Sequence, residues 1–251
     1  MNQRPTQRTV MVFSGLDPSG GAGIAADLTA IAAQGVHALP LITALTVQDQ
    51  NRVHDIAPVE PSILLRQARA LIDAVPIDAV KIGIPGSRAN AEAIAAIVTR
   101  LRERNPALPV VLDPVLASGH GDMLSRGNAL DALAPLLPLV TVLTPNLAEA
   151  QAIDVAQCLH VLVTGGHGTG PQVINRWHGP AETREWQWER LRGEFHGSGC
   201  TLAAALAARL ALGESIADAL GTAQVYVQRA LAASFSIGPG QRIPQRFYPH
   251  D

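Results

Sequence analysis

The sequence predicts an α/β fold, in which a mostly parallel central sheet is flanked by helices and carries a small antiparallel flap. Short apolar runs alternate with longer alanine-rich segments whose apolar residues recur at helical spacing, the pattern of parallel strands joined by covering helices. Glycine, proline, aspartate or asparagine ends or follows each run, so the turns gather where parallel sheets bind ligands. The runs are Val10–Phe13, Ala79–Ile84, Val110–Leu112, Val140–Leu143 and His160–Val163.

Two places depart from this alternation, because two strand-like runs follow each other through a short turn. Leu39–Thr46 with Arg52–Val59 predicts the antiparallel flap, and Gln172–Trp177 with Glu185–Leu191 predicts a second hairpin. The tail after Gly238 is rich in proline and aromatic residues, which favours a strap that crosses the surface.

Length and composition indicate one folded unit. A chain of 251 residues suits one large α/β domain, and no linker or change in composition divides it. We therefore expect a single domain over residues 1–251, with the polar segment 1–9 flexible. Hydrophobic residues make up 47% of the chain and charged residues 16%, which predicts a sizeable core and argues against disorder.

The charge pattern excludes several classes of partner. The formal net charge is −2, and no run of lysine or arginine forms the basic stripe that nucleic acids or anionic membranes require. Apolar stretches are too short for a signal peptide or a membrane span. The two cysteines, Cys158 and Cys200, suit neither a disulfide framework nor a metal motif. We expect a cytoplasmic protein that acts on a small molecule.

The strongest local signal is the glycine-containing segment 194–201, which directly precedes the helical run 202–212. Gly197 and Gly199 remove side chains where backbone N–H groups must approach an anion, and the start of a helix adds partial positive charge there. The segment therefore predicts an anion hole. The alternative is an ordinary glycine-containing loop that is capped by Ser198 or Thr201.

Cys200 lies in the first turn of that predicted helix. Unpaired N–H donors there would stabilise a thiolate, so we expect the pKa of this thiol to be lowered and the residue to be reactive or to handle a proton. The alternative is a small buried hydrophobe, since free cysteine often has only that role.

A second glycine-rich segment, 14–24, leads from the first apolar run into the helix that carries Asp27. Its glycines and Asp17 allow a ligand to approach the backbone at a strand end. The spacing differs from Gly-x-Gly-x-x-Gly, and no P-loop motif occurs in the chain, so the dinucleotide and P-loop classes are excluded. The alternative is a turn whose glycines serve only close packing.

Asn146 and Glu149 lie three residues apart where a predicted strand leads into a helix. On one helical face they could hold hydrated magnesium. The alternative is a capping box, in which each side chain bonds the backbone of the other. Asp113, which ends a strand, either meets the site or caps its turn, and the only lysine, Lys81, is either a buried ammonium or a solvated charge.

Taken in order, these motifs resemble those of the hydroxymethylpyrimidine/phosphomethylpyrimidine kinases, a branch of the ribokinase superfamily. The resemblance covers nearly the whole chain. The segments that carry it begin with Gly15–Ile24 and Asp27, continue through Ile42–Leu45 with Gln48, Lys81–Gly83, Val111–Val115 and Thr144–Glu149, and end with Gly165–His167 and His196–Thr201.

The resemblance implies a ribokinase-like three-layer sandwich that uses ATP and Mg²⁺. The implied reaction transfers the γ-phosphoryl group to 4-amino-5-hydroxymethyl-2-methylpyrimidine or to its monophosphate in thiamine biosynthesis. A homodimer is expected on superfamily grounds, with no nucleic-acid or membrane partner. Cysteine at position 200, where most sugar kinases of the superfamily carry aspartate, favours the pyrimidine-kinase branch or certain pyridoxal kinases close to it.

The resemblance also assigns roles to individual residues. Gln48 and the backbone near Thr46 would recognise the edge of the aminopyrimidine. The other predicted substrate residues are Gly15, Asp17, Asp27 and Ile84. The predicted nucleotide-side residues are Asn146, Glu149, Thr164 and Gly166, and magnesium would be held by Asn146 and Glu149 through water and by Asp113. The predicted catalytic residues are Gly197, Ser198, Gly199 and Cys200, with Cys200 accepting or orienting the substrate hydroxyl proton as general base.

The chain departs from the family pattern in two places. Thr164 stands where the family usually carries lysine before the Gly-Gly-His segment, and the connection between Ala150 and Cys158 is short. Two alternatives therefore stay open beside the pyrimidine kinase. One is a pyridoxal-type vitamin kinase, and the other is a pyrimidine-binding protein of the same fold with impaired catalysis.

Overall fold

The computed structural model describes residues 7–118 and 121–247. Within them the chain forms one sheet, whose strands in chain order are β1 (Thr9–Leu16), β2 (His37–Gln48), β3 (Val53–Pro58), β4 (Ala79–Ile82), β5 (Val110–Leu112), β6 (Val142–Leu143), β7 (His160–Val163), β8 (Gln172–His178) and β9 (Thr183–Glu189). The helices are α1 (Gly23–Ala33), α2 (Pro61–Ile72), α3 (Arg88–Arg104), α4 (Ala129–Leu133), α5 (Leu147–Ala152), α6 (Ser198–Ala211) and α7 (Ile216–Ala232).

The order of strands in the sheet is β3-β2-β1-β4-β5-β6-β7-β8-β9. The strands from β2 to β7 in this order are parallel, whereas β3, β8 and β9 are antiparallel at the two ends. This arrangement confirms the mostly parallel sheet with an antiparallel flap. Because β2 and β4 lie on opposite sides of β1, successive connections diverge there, and the crevice between β1 and β4 is the place where such sheets bind ligands.

Two helical layers cover the sheet, one on each face. The side chains of β1 show this, because successive residues pack against different layers. Val10 and Val12 belong to a buried cluster with α1, α6 and α7, whereas Met11 and Phe13 belong to a cluster with α2 and α3. All four side chains are fully buried. Successive residues of a strand point to opposite faces, so one apolar run contributes to both cores. The three-layer prediction is therefore confirmed.

Some predicted strand bounds are wrong. β5 and β7 have the predicted limits, but β4 ends at Ile82 and not at residue 84, because Gly83 and Ile84 leave the sheet toward the site. β6 spans only Val142–Leu143, since a 3₁₀ turn over Leu137–Leu139 includes a proline that cannot donate to a strand ladder.

Both ends of the described chain are more firmly attached than the sequence indicates. Residues 1–6 of the segment expected to be flexible lie outside the described residues. Thr9 already begins β1, is buried, and donates its hydroxyl to the Pro76 carbonyl over 2.5 Å. The tail is not only a surface strap, because Ile243 and Arg246 are buried. Its backbone pairs with the segment before α6, where Arg242 N donates to Glu194 O.

No helix in the described part of the chain combines the length and the apolar character that crossing a membrane demands.

Candidate active site

The carboxyl ends of the parallel strands bring most of the predicted residues to one edge of the sheet. Parallel strands all end at the same edge, so residues far apart in sequence become neighbours there. The predicted residues that lie within three residues of the end of a parallel strand include Gly15, Asp17, Gln48, Ile84, Asp113, Asn146 and Thr164.

The predicted substrate pocket is built around Gly15 and Ile84. A Cβ at Gly15 would lie 2.6 Å from Ile84 Cδ1, so the two residues are in contact. Strand register shifts at Gly15 in β1 and at Gln48 in β2, and such irregularities change the direction of a side chain beside a site. The hydroxyl of Thr46 donates to the Leu16 carbonyl over 2.8 Å, which fixes the end of β1 beside this pocket.

Asp17 shapes the loop after β1, which we call the glycine loop (residues 17–23). Its buried carboxylate accepts hydrogen bonds of 2.8 Å from Ser19 N, Ser19 Oγ and Ala22 N, and lies 2.8 Å from His196 Nε2. Burial alone would raise the pKa of this carboxyl, but the hydrogen bonds from His196 and Ser19 hold the pKa below its usual value. His196 thus connects the segment before α6 to the glycine loop.

Asp27, a predicted substrate residue, is fully buried beneath the site. Asp27 and Lys81 are both 0% exposed, and Lys81 Nζ lies 2.8 Å from Asp27 Oδ2. Burial acts to lower the pKa of Lys81, but the charge of Asp27, the hydrogen bond to it and the charge of Asp113 contribute to holding the pKa above its usual value. Lys81 is therefore a buried ammonium, and the solvated alternative is wrong. The carboxylate of Asp27 is turned toward this ion pair, so it supports the pocket from behind.

The N terminus of α6 has the geometry of an anion hole, formed by the anion loop (residues 197–200). Gly197 is the N-cap and has φ +79°, and a Cβ there would collide with the carbonyl oxygen of Gly21, so only glycine fits. In the described part of the chain no side chain caps this terminus, which removes capping by Ser198 or Thr201. The first N–H groups of this 14-residue helix therefore remain available to an anion.

The predicted lowering of the Cys200 pKa is wrong. Burial raises the pKa of the Cys200 thiol to about 12, and although Lys81 opposes this rise, the charges of Asp113 and Asp27 add to it. At neutral pH the side chain is a neutral thiol.

Asp113 lies on the other side of Cys200, under the anion loop. A Cβ at Gly199 would lie 3.5 Å from Asp113 Oδ2, an ordinary contact distance, so the backbone of the loop passes close to this carboxylate. Burial raises the pKa of Asp113 to about 6, while the charge of Lys81 and a hydrogen bond with the Cys200 side chain oppose the rise. Oδ2 of Asp113 has no hydrogen-bond partner among the described residues. The carboxylate of Asp113 therefore lies beside the anion loop, which favours the first of its two interpretations, a residue of the site.

Asn146 and Glu149 form a capping box at the start of α5. Asn146 Oδ1 accepts from Glu149 N over 3.0 Å, and Glu149 Oε2 accepts from Asn146 N over 2.8 Å. Burial and the charge of Asp113 raise the pKa of Glu149 to about 7. The capping interpretation is confirmed, and the same carboxylate also lies within the electrostatic reach of Asp113.

The carboxylates fit a magnesium ion that arrives with a nucleotide. Across residues 7–118 and 121–247, no group of three or more histidine, cysteine, aspartate or glutamate side chains is placed to hold a metal by itself. Magnesium is usually held by one or two carboxylates together with phosphates and water. Asp113, with its unpartnered oxygen, and the nearby Glu149 match that donor set.

The predicted nucleotide-side residues Thr164 and Gly166 lie directly after β7. Thr164 N donates to Pro145 O over 2.8 Å, which joins the ends of β7 and β6. Gly166 is exposed, and its carbonyl accepts a 2.6 Å hydrogen bond from Arg190 Nη1. Arg190 Nε also donates to Gly170 O over 2.7 Å, so one guanidinium holds this loop. The sequence did not indicate Arg190, because it approaches from the distant β9 end of the hairpin.

Arg246 is a second residue that sequence reasoning missed. It lies in the tail and is only 5% exposed. Its Nη2 donates to Gly21 O over 2.5 Å, and its Nε donates to Thr201 Oγ1 over 2.9 Å. The only sequence signal was an arginine within a tail otherwise rich in proline and aromatic residues.

Comparison with known proteins agrees with this geometry. The family model described as phosphomethylpyrimidine kinase matches residues 17–245. A hydroxymethylpyrimidine/phosphomethylpyrimidine kinase of Mycobacterium tuberculosis is 36% identical over 256 residues, which cover 94% of this chain and 92% of the relative.

Solved structures show the same architecture. A phosphomethylpyrimidine kinase of Clostridium difficile has a TM-score of 0.74 at 28% identity, covering 90% of this chain and 100% of that one. A pyridoxal kinase of Bacillus subtilis in an ADP complex has a TM-score of 0.82 at 25% identity, covering 96% and 98% of the two chains. These likenesses confirm the ribokinase-like fold. With the family model spanning both glycine-containing loops and the relative covering nearly the whole chain, the protein belongs to the phosphomethylpyrimidine kinase family.

Proposed function

We propose that this protein uses ATP to phosphorylate 4-amino-5-hydroxymethyl-2-methylpyrimidine, its monophosphate, or both, as steps of thiamine biosynthesis. The observation that carries the proposal is the uncapped N terminus of α6, which opens beside the crevice between β1 and β4. A phosphoryl group needs such an array of N–H donors, and a substrate needs the crevice. Membership of the family supplies the chemical identity of the substrate.

The crevice suits a flat heterocycle. Gly15 lacks a side chain where Ile84 approaches, which leaves a thin apolar wall against which a ring could stack. Gln48 stands at the end of β2, half-buried, and its amide offers both a donor and an acceptor to the edge of an aminopyrimidine. Thr46 keeps the neighbouring backbone in place through its bond to Leu16 O.

The anion loop acts on the group being transferred. Its N–H groups and the dipole of α6 are aimed before the reaction at the place where phosphoryl charge develops, so the stabilisation needs no reorganisation. Phosphoryl transfer depends mainly on such positioning and charge stabilisation, and little on covalent chemistry by the protein. Mg²⁺ bound with ATP would be held by Asp113 and Glu149, with Asn146 through water, and would neutralise phosphate charge.

Cys200 is proposed to orient the hydroxyl of the substrate. A thiol with a pKa near 12 is protonated at neutral pH, so it is a poor general base before the reaction begins. It is nevertheless placed in the first turn of α6, between the N–H donors and Asp113, where it can hold the hydroxyl in line with the phosphoryl group. Of the two roles predicted for Cys200, orientation is the one that its electrostatics favour.

Product analysis tests the proposal. The purified protein would be incubated with magnesium ATP and the hydroxymethylpyrimidine, its monophosphate or pyridoxal, and the products followed by phosphorus NMR. We expect pyrimidine monophosphate, diphosphate or both, and much slower product formation in Cys200→Ala. Saturable pyrimidine binding without turnover would contradict the proposal and favour a binding protein instead.

A pyridoxal-type vitamin kinase is the second candidate, because a pyridoxal kinase shares the fold with a TM-score of 0.82. Formation of pyridoxal phosphate alone in the same assay would favour this second candidate.

A homodimer and a cytoplasmic location also form part of the proposal. Sedimentation equilibrium would test whether the protein is a homodimer.

A further inference from the structure

We infer that Arg246 is a positioning residue for the proposed phosphoryl transfer: it ties the glycine loop to the anion loop and makes the C-terminal tail part of the active site. The inference rests on the proposed function for its kinetic consequences, but not for its structural ones. None of the sequence motifs assigned a role to this arginine.

One guanidinium group links the two loops, binding the glycine loop directly and the anion loop through Thr201. Arg246 Nη2 donates to Gly21 O in the glycine loop, over 2.5 Å. Its Nε donates over 2.9 Å to Thr201 Oγ1, which in turn donates over 2.7 Å to Gly197 O. The planar fork of arginine fixes the directions of its donors, so the two acceptors are held at a set separation. A relay of hydrogen bonds therefore runs from Gly21 to the N-cap of α6.

The two loops touch without side chains between them. The N-cap Gly197 packs so closely on Gly21 that a Cβ would collide with the Gly21 carbonyl, the same oxygen that Arg246 binds. On the other side, His196 joins the loops through its contact with Asp17. Arg246 therefore completes a contact that has little tolerance for displacement, because backbone faces backbone.

The tail holds Arg246 firmly in this place. Its own carbonyl accepts a 2.9 Å hydrogen bond from Tyr226 Oη, and Gln245 N donates to Ala230 O over 2.9 Å. Both partners belong to α7, which packs against α6. The arginine is thus fixed from the helix next to the one whose terminus it positions.

The chemistry of the contact argues against a purely stabilising role. Burying a charge is costly, and an apolar side chain of similar volume often stabilises a protein as well or better. The described hydrogen bonds of Arg246 go to neutral oxygens. They therefore do not offset the free-energy cost of burying the charge as a direct ion pair would. What they provide is direction, since a charged donor forms short and well-oriented bonds. A permanent positive charge under the loops also favours an anion there.

Arg246 should affect one half of the site and not the other. Its contacts reach the glycine loop and the anion loop, whereas the nucleotide-side loop is held separately, by Arg190 and by Asn175 Oδ1, which accepts from Gly165 N. Displacing the anion loop changes the transition state and the substrate position. The nucleotide contacts beyond β7 stay as they are.

Kinetics of Arg246→Gln and Arg246→Lys test the inference. We expect kcat to fall on the order of 10²-fold in Arg246→Gln, the cost of a misplacement near 1 Å, with a higher KM for the pyrimidine and a smaller rise in the KM for ATP. Arg246→Lys keeps the charge but reaches one acceptor at a time, so it should recover part of kcat. The matched control is Arg242→Gln, because the Arg242 guanidinium contacts the Ser234 carbonyl and neither loop. This variant should keep kcat and both KM values.

Hydrogen exchange gives a readout that does not depend on catalysis. In Arg246→Gln, peptides covering residues 17–23 and 197–200 should exchange faster than in the wild type, while peptides covering 164–170 should not. Equal rise of KM for ATP and for the pyrimidine, or faster exchange spread evenly over the chain, would overturn the inference and indicate a merely structural residue. If the wild type itself has no kinase activity, the proposed function fails, whereas the exchange pattern still decides the role of Arg246.

Discussion

Lys81 and Asp27 form an ion pair of 2.8 Å that has no exposed surface, directly behind the predicted substrate pocket. Removing only the lysine would leave an uncompensated negative charge in the core. We expect Lys81→Met to lower the free energy of unfolding by about 3–5 kcal/mol. The double variant Lys81→Met/Asp27→Asn removes both charges and should recover most of that loss. Urea unfolding measures both, and equal losses in the single and double variants would show that the pairing of charges is not the cause.

Gly197 should tolerate no side chain. Gly197→Ala introduces both a positive-φ penalty and a collision with Gly21, so we expect lower stability and loss of kinase activity. The matched control is Gly213→Ala, which has φ +88° but no heavy atom within 4 Å of the added Cβ. It should lose about 1 kcal/mol of stability from backbone strain and keep its activity. Equal activity in the two variants would refute the close contact between the loops.

Cys200 should be slow to alkylate at neutral pH. Its thiol pKa of about 12 leaves almost no thiolate at pH 7, so the rate of reaction with iodoacetamide should rise only in alkaline solution. In the proposed role, Cys200→Ala should lower kcat on the order of 10²-fold, and Cys200→Ser should retain more because a hydroxyl can still hydrogen bond. Rapid alkylation at pH 7, or normal turnover of both variants, would remove the role.

Asp17 should make stability depend on pH in the acidic range. Its pKa in the folded protein lies below the ordinary value of 3.8, so the stabilisation from its ionised form is complete above that value and is lost as the pH falls through the folded pKa. Asp17→Asn should therefore be less stable than the wild type at pH 6, and the difference should shrink below pH 4. Unfolding curves at several pH values measure this. A difference that stays constant with pH would contradict the assignment.

Glu149 should link magnesium to pH. Its pKa of about 7 means that protonation below neutrality removes a charge from the proposed magnesium site, so the magnesium concentration for half-maximal activity should increase as the pH falls from 8 to 6. Glu149→Gln should raise that concentration at every pH. Ser215→Ala is a control for lost capping, because the Ser215 hydroxyl caps α7 far from the proposed metal. It should cost about 1 kcal/mol of stability with no change in the magnesium requirement.

Local features of the site were accessible from sequence. β5 and β7 had the predicted bounds because each apolar run is short and is ended by aspartate or glycine. The capping box of Asn146 and Glu149 depends on a spacing of three residues, which the sequence displays directly. The start of α6 was evident from glycines before an alanine-rich run.

Features that depend on distant residues were not accessible. The thiol of Cys200 has a raised pKa because it is buried and because two carboxylates from other elements, Asp113 and Asp27, lie near it. A local view of the helix terminus omits both effects. The pairing of Asp27 with Lys81 was not visible in the sequence, because the two residues belong to different elements. Electrostatic energies in a core are sums over neighbours that only the fold specifies.

The bond between Gly21 and Arg246 also bears on how the protein is made. It joins residues 225 positions apart, so closing it must follow the contacts of shorter range that build the sheet. A growing chain exposes its glycine loop long before the arginine has been synthesised. A translation product that stopped just short of residue 246 would bury both halves of the apolar core yet lack the guanidinium that joins the two loops. Quality control that senses only exposed apolar surface would therefore pass a folded but unfinished enzyme.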